Sequence, residues 1–250
     1  MPPMVLRLRA LFTLVLLVLA LQARADTLAP YQIVSGNLPP FAVESGPDHP
    51  GALASLVHDM ALRLGTAPAI QFYPWTRALS IVGAQPRTLI LPLTRTPERE
   101  NNYRWIVKLY RQQFVFMALR GASINLNAMD TLRGLRIAVL RGSPNESHLL
   151  NRNFQQVLPA NSVLDMARML ERGMADAIYG GEAINLAVLA DYGMTRAQLQ
   201  VSKPLDYGEI WLGGSLDIPE SEALLWQNAM KQLVRDGVVR RTLARYGLPQ

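Results

Sequence analysis

The 250-residue chain has no cysteine, which excludes disulfides, thiolate chemistry, cysteine-ligated zinc and a lipid-modified N-terminal cysteine. Histidine is scarce. His49, His58 and His148 are scattered and fit neither a Ser-His-Asp order nor an HExxH pair, and no Walker loop or GxGxxG fingerprint is present. Nothing in the sequence therefore supplies a recognised catalytic constellation, a metal site or a cofactor cradle. What the chain does have is apolar residues: half of it is hydrophobic, which excludes disorder, and its length allows an ample core.

The first 25 residues read as an export signal. Arg7 and Arg9 precede an apolar run from Leu11 to Leu21, and Ala23-Arg24-Ala25 has the small-x-small form of a cleavage site, placing the mature start at Asp26. The alternative is an uncleaved anchor, but the run is well short of the about 20 residues a spanning helix needs. Export places the protein in the periplasm. Loss of Arg7, Arg9 and Arg24 with the signal reduces the formal charge from +6 to +3, leaving 22 basic against 19 acidic residues. That excess is too small to suggest nucleic acid, and no basic stripe carries interleaved aromatics.

Strand-like and helix-like segments alternate along the mature chain. The pattern predicts strands at Tyr31 to Ser35, Ile70 to Tyr73 and Thr88 to Leu93, with helices from Ala52 to Leu64 and from Trp75 to Val82. A second set follows: strands at Phe114 to Leu119, Arg136 to Leu140 and Ala175 to Tyr179, and helices from Ser162 to Leu170 and Glu182 to Leu189. Ser143-Pro144-Asn145-Glu146 has the residue types of a helix start, with Ser143 as cap. A strand at Ile210 to Leu216 and two helices, Ser221 to Val234 and Val238 to Tyr246, complete the chain. The alternation implies an α/β fold of βαβ units with a mainly parallel sheet. A loose echo between residues 75–99 and 162–186 suits two similar lobes.

Several segments then resemble one family. Leu38-Pro39-Pro40-Phe41, Pro74-Trp75-Thr76-Arg77-Ala78, Thr94-Arg95-Thr96-Pro97-Glu98-Arg99, the run from Leu132 to Val139 followed by Gly142-Ser143, and Asp236-Gly237 to Tyr246-Gly247 are similar in order and spacing to extracellular solute-binding protein family 3, whose members carry polar amino acids to transporters. The resemblance implies two Rossmann-like lobes of the type II periplasmic binding fold, joined by a two-crossover hinge. Residues 26–118 and 207–250 would form one lobe and 119–206 the other, with crossings near Leu119-Arg120 and Leu205-Asp206. It implies a monomer without cofactor or metal, working with an inner-membrane ABC permease or a sensor.

Carried over residue by residue, the resemblance makes Arg99 the grip on a ligand carboxylate, for which a guanidinium offers matched parallel donors. Read without it, Arg99 is a solvated arginine early in a helix. Thr94 becomes a site hydroxyl or a strand-end threonine satisfied locally. Ser143 is a helix cap that could add backbone donors for an anion. Trp75, Phe41 and Leu38 become apolar walls or plain core. One departure bears on the ligand: the family's aspartate for an ammonium falls at Gly181 here, with Glu182 beside it. Glycine offers only backbone, so the expected ligand is a carboxylate without a free α-amino group, unless Glu182 or Asp206 substitutes for the missing acid. Two rivals remain, a periplasmic dehydratase of the cyclohexadienyl type and a ligand-sensing partner of a membrane receptor.

Overall fold

The computed structural model describes residues 30–44, 49–66 and 69–249; the export signal lies outside them. Strands β1 (Gln32–Ser35), β2 (Ile70–Phe72) and β3 (Thr88–Thr94) pair in parallel in the order β2-β1-β3. β3 is apolar along nearly its whole length because both of its faces are covered. Helix α1 (Ala52–Arg63) buries Leu53, Leu56, Val57 and Met60 on one face, and α2 (Trp75–Ala84) buries Trp75, Ala78, Ile81 and Val82. These are the stripes that a 3.6-residue period sets.

The second half repeats the plan. After the short α3 (Met129–Leu132), strands β5 (Arg136–Leu140), β6 (Gln156–Ala160) and β7 (Ala177–Gly181) pair in parallel in the order β6-β5-β7. Helices α4 (Asn145–Leu150), α5 (Val163–Glu171) and α6 (Glu182–Asp191) connect and cover them. The Ser162 hydroxyl caps α5 by accepting from the Asp165 amide at 3.0 Å. At the start of β5, Arg136 grips Asp176 with two guanidinium nitrogens and its own backbone amide.

Two long strands join the halves. β4 (Arg104–Leu119) runs antiparallel to β9 (Asp206–Gly214) through its first part, and from Phe114 to Met117 it pairs with β7. β9 in turn pairs with β3, and the small β8 (Leu199–Val201) pairs with the end of β4. Among the described residues nine strands thus join one mixed sheet. The change of partner at Phe114 lies upstream of the Leu119-Arg120 crossing taken from the resemblance. The sequence pattern expects mainly parallel pairing and begins this strand at Phe114. The actual strand starts ten residues earlier, where the charged Lys108 and Arg111 point outward between buried Ile106, Val107, Leu109 and Tyr110. β6 carries Pro159, which suits its place at the sheet edge.

The final helices α7 (Glu220–Arg235) and α8 (Val238–Arg245) return to the first half and pack on α1. Trp226 of α7 is fully buried and meets Tyr31 edge-on, with ring centroids 5.9 Å apart. One apolar cluster fills this half and another, around Phe116, Phe154 and Tyr179, fills the second. A third spans both: Leu38, Trp75 and Ile90 from the first half join Leu140, Val163 and Met166 from the second.

Candidate ligand cleft

The two halves meet at the carboxyl ends of their parallel strands, where ligands bind in open α/β sheets. Six of the eight site residues expected from sequence line one cavity there. Leu38 follows β1, Trp75 opens α2, Thr94 ends β3, Arg99 closes a 3₁₀ turn (Pro97–Arg99), Ser143 follows β5 and Gly181 ends β7. The cavity holds about 50 Å³. A more open chamber of about 300 Å³ adjoins it, sharing Thr94, Phe114, Pro144, Asn145 and Tyr179.

Arg99 spans the junction. Its Nη1 donates to the Thr94 carbonyl at 3.1 Å and its Nη2 donates to the Gly142 carbonyl, in the other half, at 2.7 Å. Among the described residues no carboxylate forms an ion pair with it. Burial pulls its pKa below the usual arginine value, against the opposing influence of Tyr103 and Glu98. A desolvated guanidinium bonded only to neutral carbonyls favours an incoming anion, because charged acceptors make the stronger hydrogen bonds.

Gly181 accommodates a neighbour. A Cβ there would fall 2.1 Å from Oε1 of Gln112, a β4 side chain that occupies the space. Gln112 is buried, as are Asn145 and Asn185, and all three line the cavity. Among the described residues no acidic one does.

Ser143 serves the turn more than the helix. Its hydroxyl donates to the Leu140 carbonyl at 2.6 Å and accepts only a long contact from the Asn145 amide, 3.4 Å, while Pro144 takes the cap position of α4. Phe41 lies away from the cavity, in the first half's core, edge-on to Tyr110 at 5.3 Å. Glu182 starts α6 and lines a separate groove with Lys108, Tyr110 and Leu243. Its place in the first helical turn is one the helix dipole favours for an acid. Asp206 lines the open chamber, with Oδ2 3.7 Å from His148 Nε2 and 3.9 Å from Arg152 Nη2. His148 stacks on Tyr179 at 5.8 Å. Burial and then Arg152 lower the His148 pKa, while Asp206 and Glu98 oppose them.

Gln112, Asn145, Asn185, Tyr179 and His148 escaped sequence reasoning, although two of them left a signal. Gln112 continues the face of Phe114, Phe116 and Ala118 at a spacing of two, and Asn185 precedes the buried Val188 and Leu189 at helical spacing. A polar residue in register with an apolar face marks a buried polar group.

No protein-family model matches the sequence, and a search of curated proteins finds no match. Solved structures do match the fold. The ligand-binding core of GluR0 from Nostoc punctiforme, in complex with L-glutamate, has a TM-score of 0.76 at 18% identity over 88% of this chain and 100% of its own. A substrate-binding protein of an amino-acid ABC transporter scores 0.74 at 17% identity, covering 87% of this chain and 99% of that one. A histidine kinase sensor domain described as similar to periplasmic binding proteins scores 0.78 at 13% identity, over 86% and 95%. The chain has the two-lobed fold of periplasmic binding proteins. Among the described residues no helix is long and apolar enough to cross a membrane.

Proposed function

We propose that this chain is a periplasmic solute-binding protein that traps a small carboxylate-bearing ligand between its lobes and delivers it to an ABC transporter. The observation that carries the reading is Arg99, a partly buried guanidinium facing the cleft with no acidic partner among the described residues. A ligand carboxylate takes the place of the Thr94 and Gly142 carbonyls, exchanging neutral acceptors for a charged one. Leu38 and Trp75 wall the ligand's body. The hinge lies where β4 changes partner, at Gln112 to Phe114, and at the facing start of β9, so the lobes rotate about two strands.

Transport is supported by the likeness to a transporter's binding protein. The likeness to a kinase sensor domain supports a second reading, in which the closed form docks to a membrane receptor. The ligand step is common to both. A thermal-shift panel pairing small carboxylates with their neutral amides tests it. At about 100 times its dissociation constant a ligand stabilises by about 2.7 kcal/mol. Carboxylates should raise the melting temperature and the amides should not; a best ligand without an anionic group ends the reading.

A further inference from the structure

The cavity has a second polar station opposite in kind to Arg99. Gln112 and Asn185 are 5% and 2% exposed, and both line the cavity. Gln112 Oε1 and Asn185 Nδ2 are buried without a hydrogen-bond partner. Native interiors rarely leave such groups unmatched, and together these two present one free acceptor and one free donor. The chain makes room for both. The absent Cβ at Gly181 leaves space for the Gln112 amide, and a Cβ at Gly180 would sit 3.0 Å from Asn185 Nδ2. Any side chain at position 181 would have to displace Gln112. Among the described residues the walls contain no carboxylate, and Arg99 is the only formal charge.

From this pairing we infer that Gln112 and Asn185 form a neutral subsite for a ligand hydroxyl, so that the ligand is a small hydroxycarboxylate and not an amino acid. This rests on the carboxylate reading of Arg99 and specifies the rest of the molecule. A hydroxyl can donate to Gln112 Oε1 or accept from Asn185 Nδ2, so one group type meets either free amide. An ammonium has donors only. It would leave the Asn185 donor unmatched and bring a charge into a space that offers no acid to balance it. Turning both amides to present oxygen would still leave that charge uncompensated beside the Arg99 cation. A bare alkyl carbon at the same place would leave both amides unpaired, which is how a polar site rejects a deoxy analogue.

The test is calorimetry on the full mature chain with two matched sets of probes: lactate, propanoate and alanine, and phenyllactate, phenylpropanoate and phenylalanine. In at least one set the hydroxy acid should bind at least about tenfold tighter than both its partners. Gln112→Leu should abolish that advantage, weakening the hydroxy acid and strengthening the deoxy acid, which no longer strands the Gln112 amide. If the variant fails to fold, Asn185→Leu makes the same comparison from the other amide. Gln112→Gly combined with Gly181→Asp should move the preference to the amino acid. Carboxylates that bind without discrimination among the three, or an amino acid that binds best to the unaltered chain, overturn the subsite and leave the Arg99 reading standing. Absence of binding by every carboxylate overturns both. Equal weakening of hydroxy and deoxy acids by Gln112→Leu makes Gln112 a structural residue and ends the inference.

Discussion

Arg99 and Gly142 lie on opposite lobes and are joined by a 2.7 Å hydrogen bond from the guanidinium to the carbonyl. Gly142 can come this close because it has no side chain. Its φ is +75°, a region costly for other residues, and a Cβ would stand 3.1 Å from Thr76 Cγ2 and 3.2 Å from Leu79 Cδ1 on the facing lobe.

Gly142→Val should therefore hold the lobes apart. The left-handed backbone costs about 1–2 kcal/mol in strain, and the added methyls collide with α2 only in the closed form. Solution scattering should give a larger radius of gyration than the unaltered chain, and ligand affinity should fall. An unchanged radius with unchanged affinity would mean that contact at Gly142 does not limit closure.

Arg99→Ala should cost about 2–5 kcal/mol in ligand affinity, mostly through faster dissociation, because it strands a ligand carboxylate in a closed cleft. Arg99→Lys should recover only part of this, since an ammonium cannot offer two parallel donors. Stopped-flow dissociation rates measure both. Unaltered rates in the alanine variant would remove Arg99 from the site.

Much of this arrangement can be read from the sequence, and the parts that cannot have physical causes. The helices expected from Ala52 to Leu64 and from Trp75 to Val82 form where local pattern puts them, as Ala52–Arg63 and Trp75–Ala84. Arg99 is identifiable only through the motif around it, since a lone arginine after Thr96-Pro97 says nothing of what lies across the cleft. The partner it finds, Gly142, is 43 residues away and on another lobe. Gly181 shows from sequence that an acid is missing; that Gln112 occupies its space depends on the pairing of β4 with β7, a long-range register that local pattern does not contain. Phe41 illustrates the converse. An aromatic in a loop after a strand reads equally as wall or core, and the close approach of Tyr110 decides for core.

His148 should make the protein less stable in mild acid. Its pKa in the folded chain is lowered, chiefly by burial and then by Arg152. The folded state thus binds this proton more weakly than the unfolded state does, and stability falls as pH drops from the ordinary value of 6.5 toward the folded value. His148→Phe keeps the ring stacked on Tyr179 and removes the titration. Melting temperatures across this range should slope less in the variant than in the unaltered chain; identical slopes would assign the acid sensitivity elsewhere.

Asp176→Asn should reduce stability without touching ligand binding. Asp176 precedes β7 at the end away from the cleft. It accepts from Arg136 Nη2 at 2.7 Å, Nε at 3.2 Å and the Arg136 backbone amide at 2.8 Å. Those bonds, the Arg136 side chain first, hold its pKa below the ordinary 3.8 although burial opposes them. Both side chains are partly exposed, so solvent screens the pair and the loss should be about 1 kcal/mol. The sign follows from the lowered pKa: the contribution is fully present above the unfolded value of 3.8 and disappears as pH falls through the folded value. Urea unfolding should therefore show a gap between the unaltered chain and the variant at neutral pH that closes in strong acid, while calorimetric affinity stays the same. A gap that persists unchanged in strong acid would show that packing around residue 176, and not the ionised carboxylate, carries the effect.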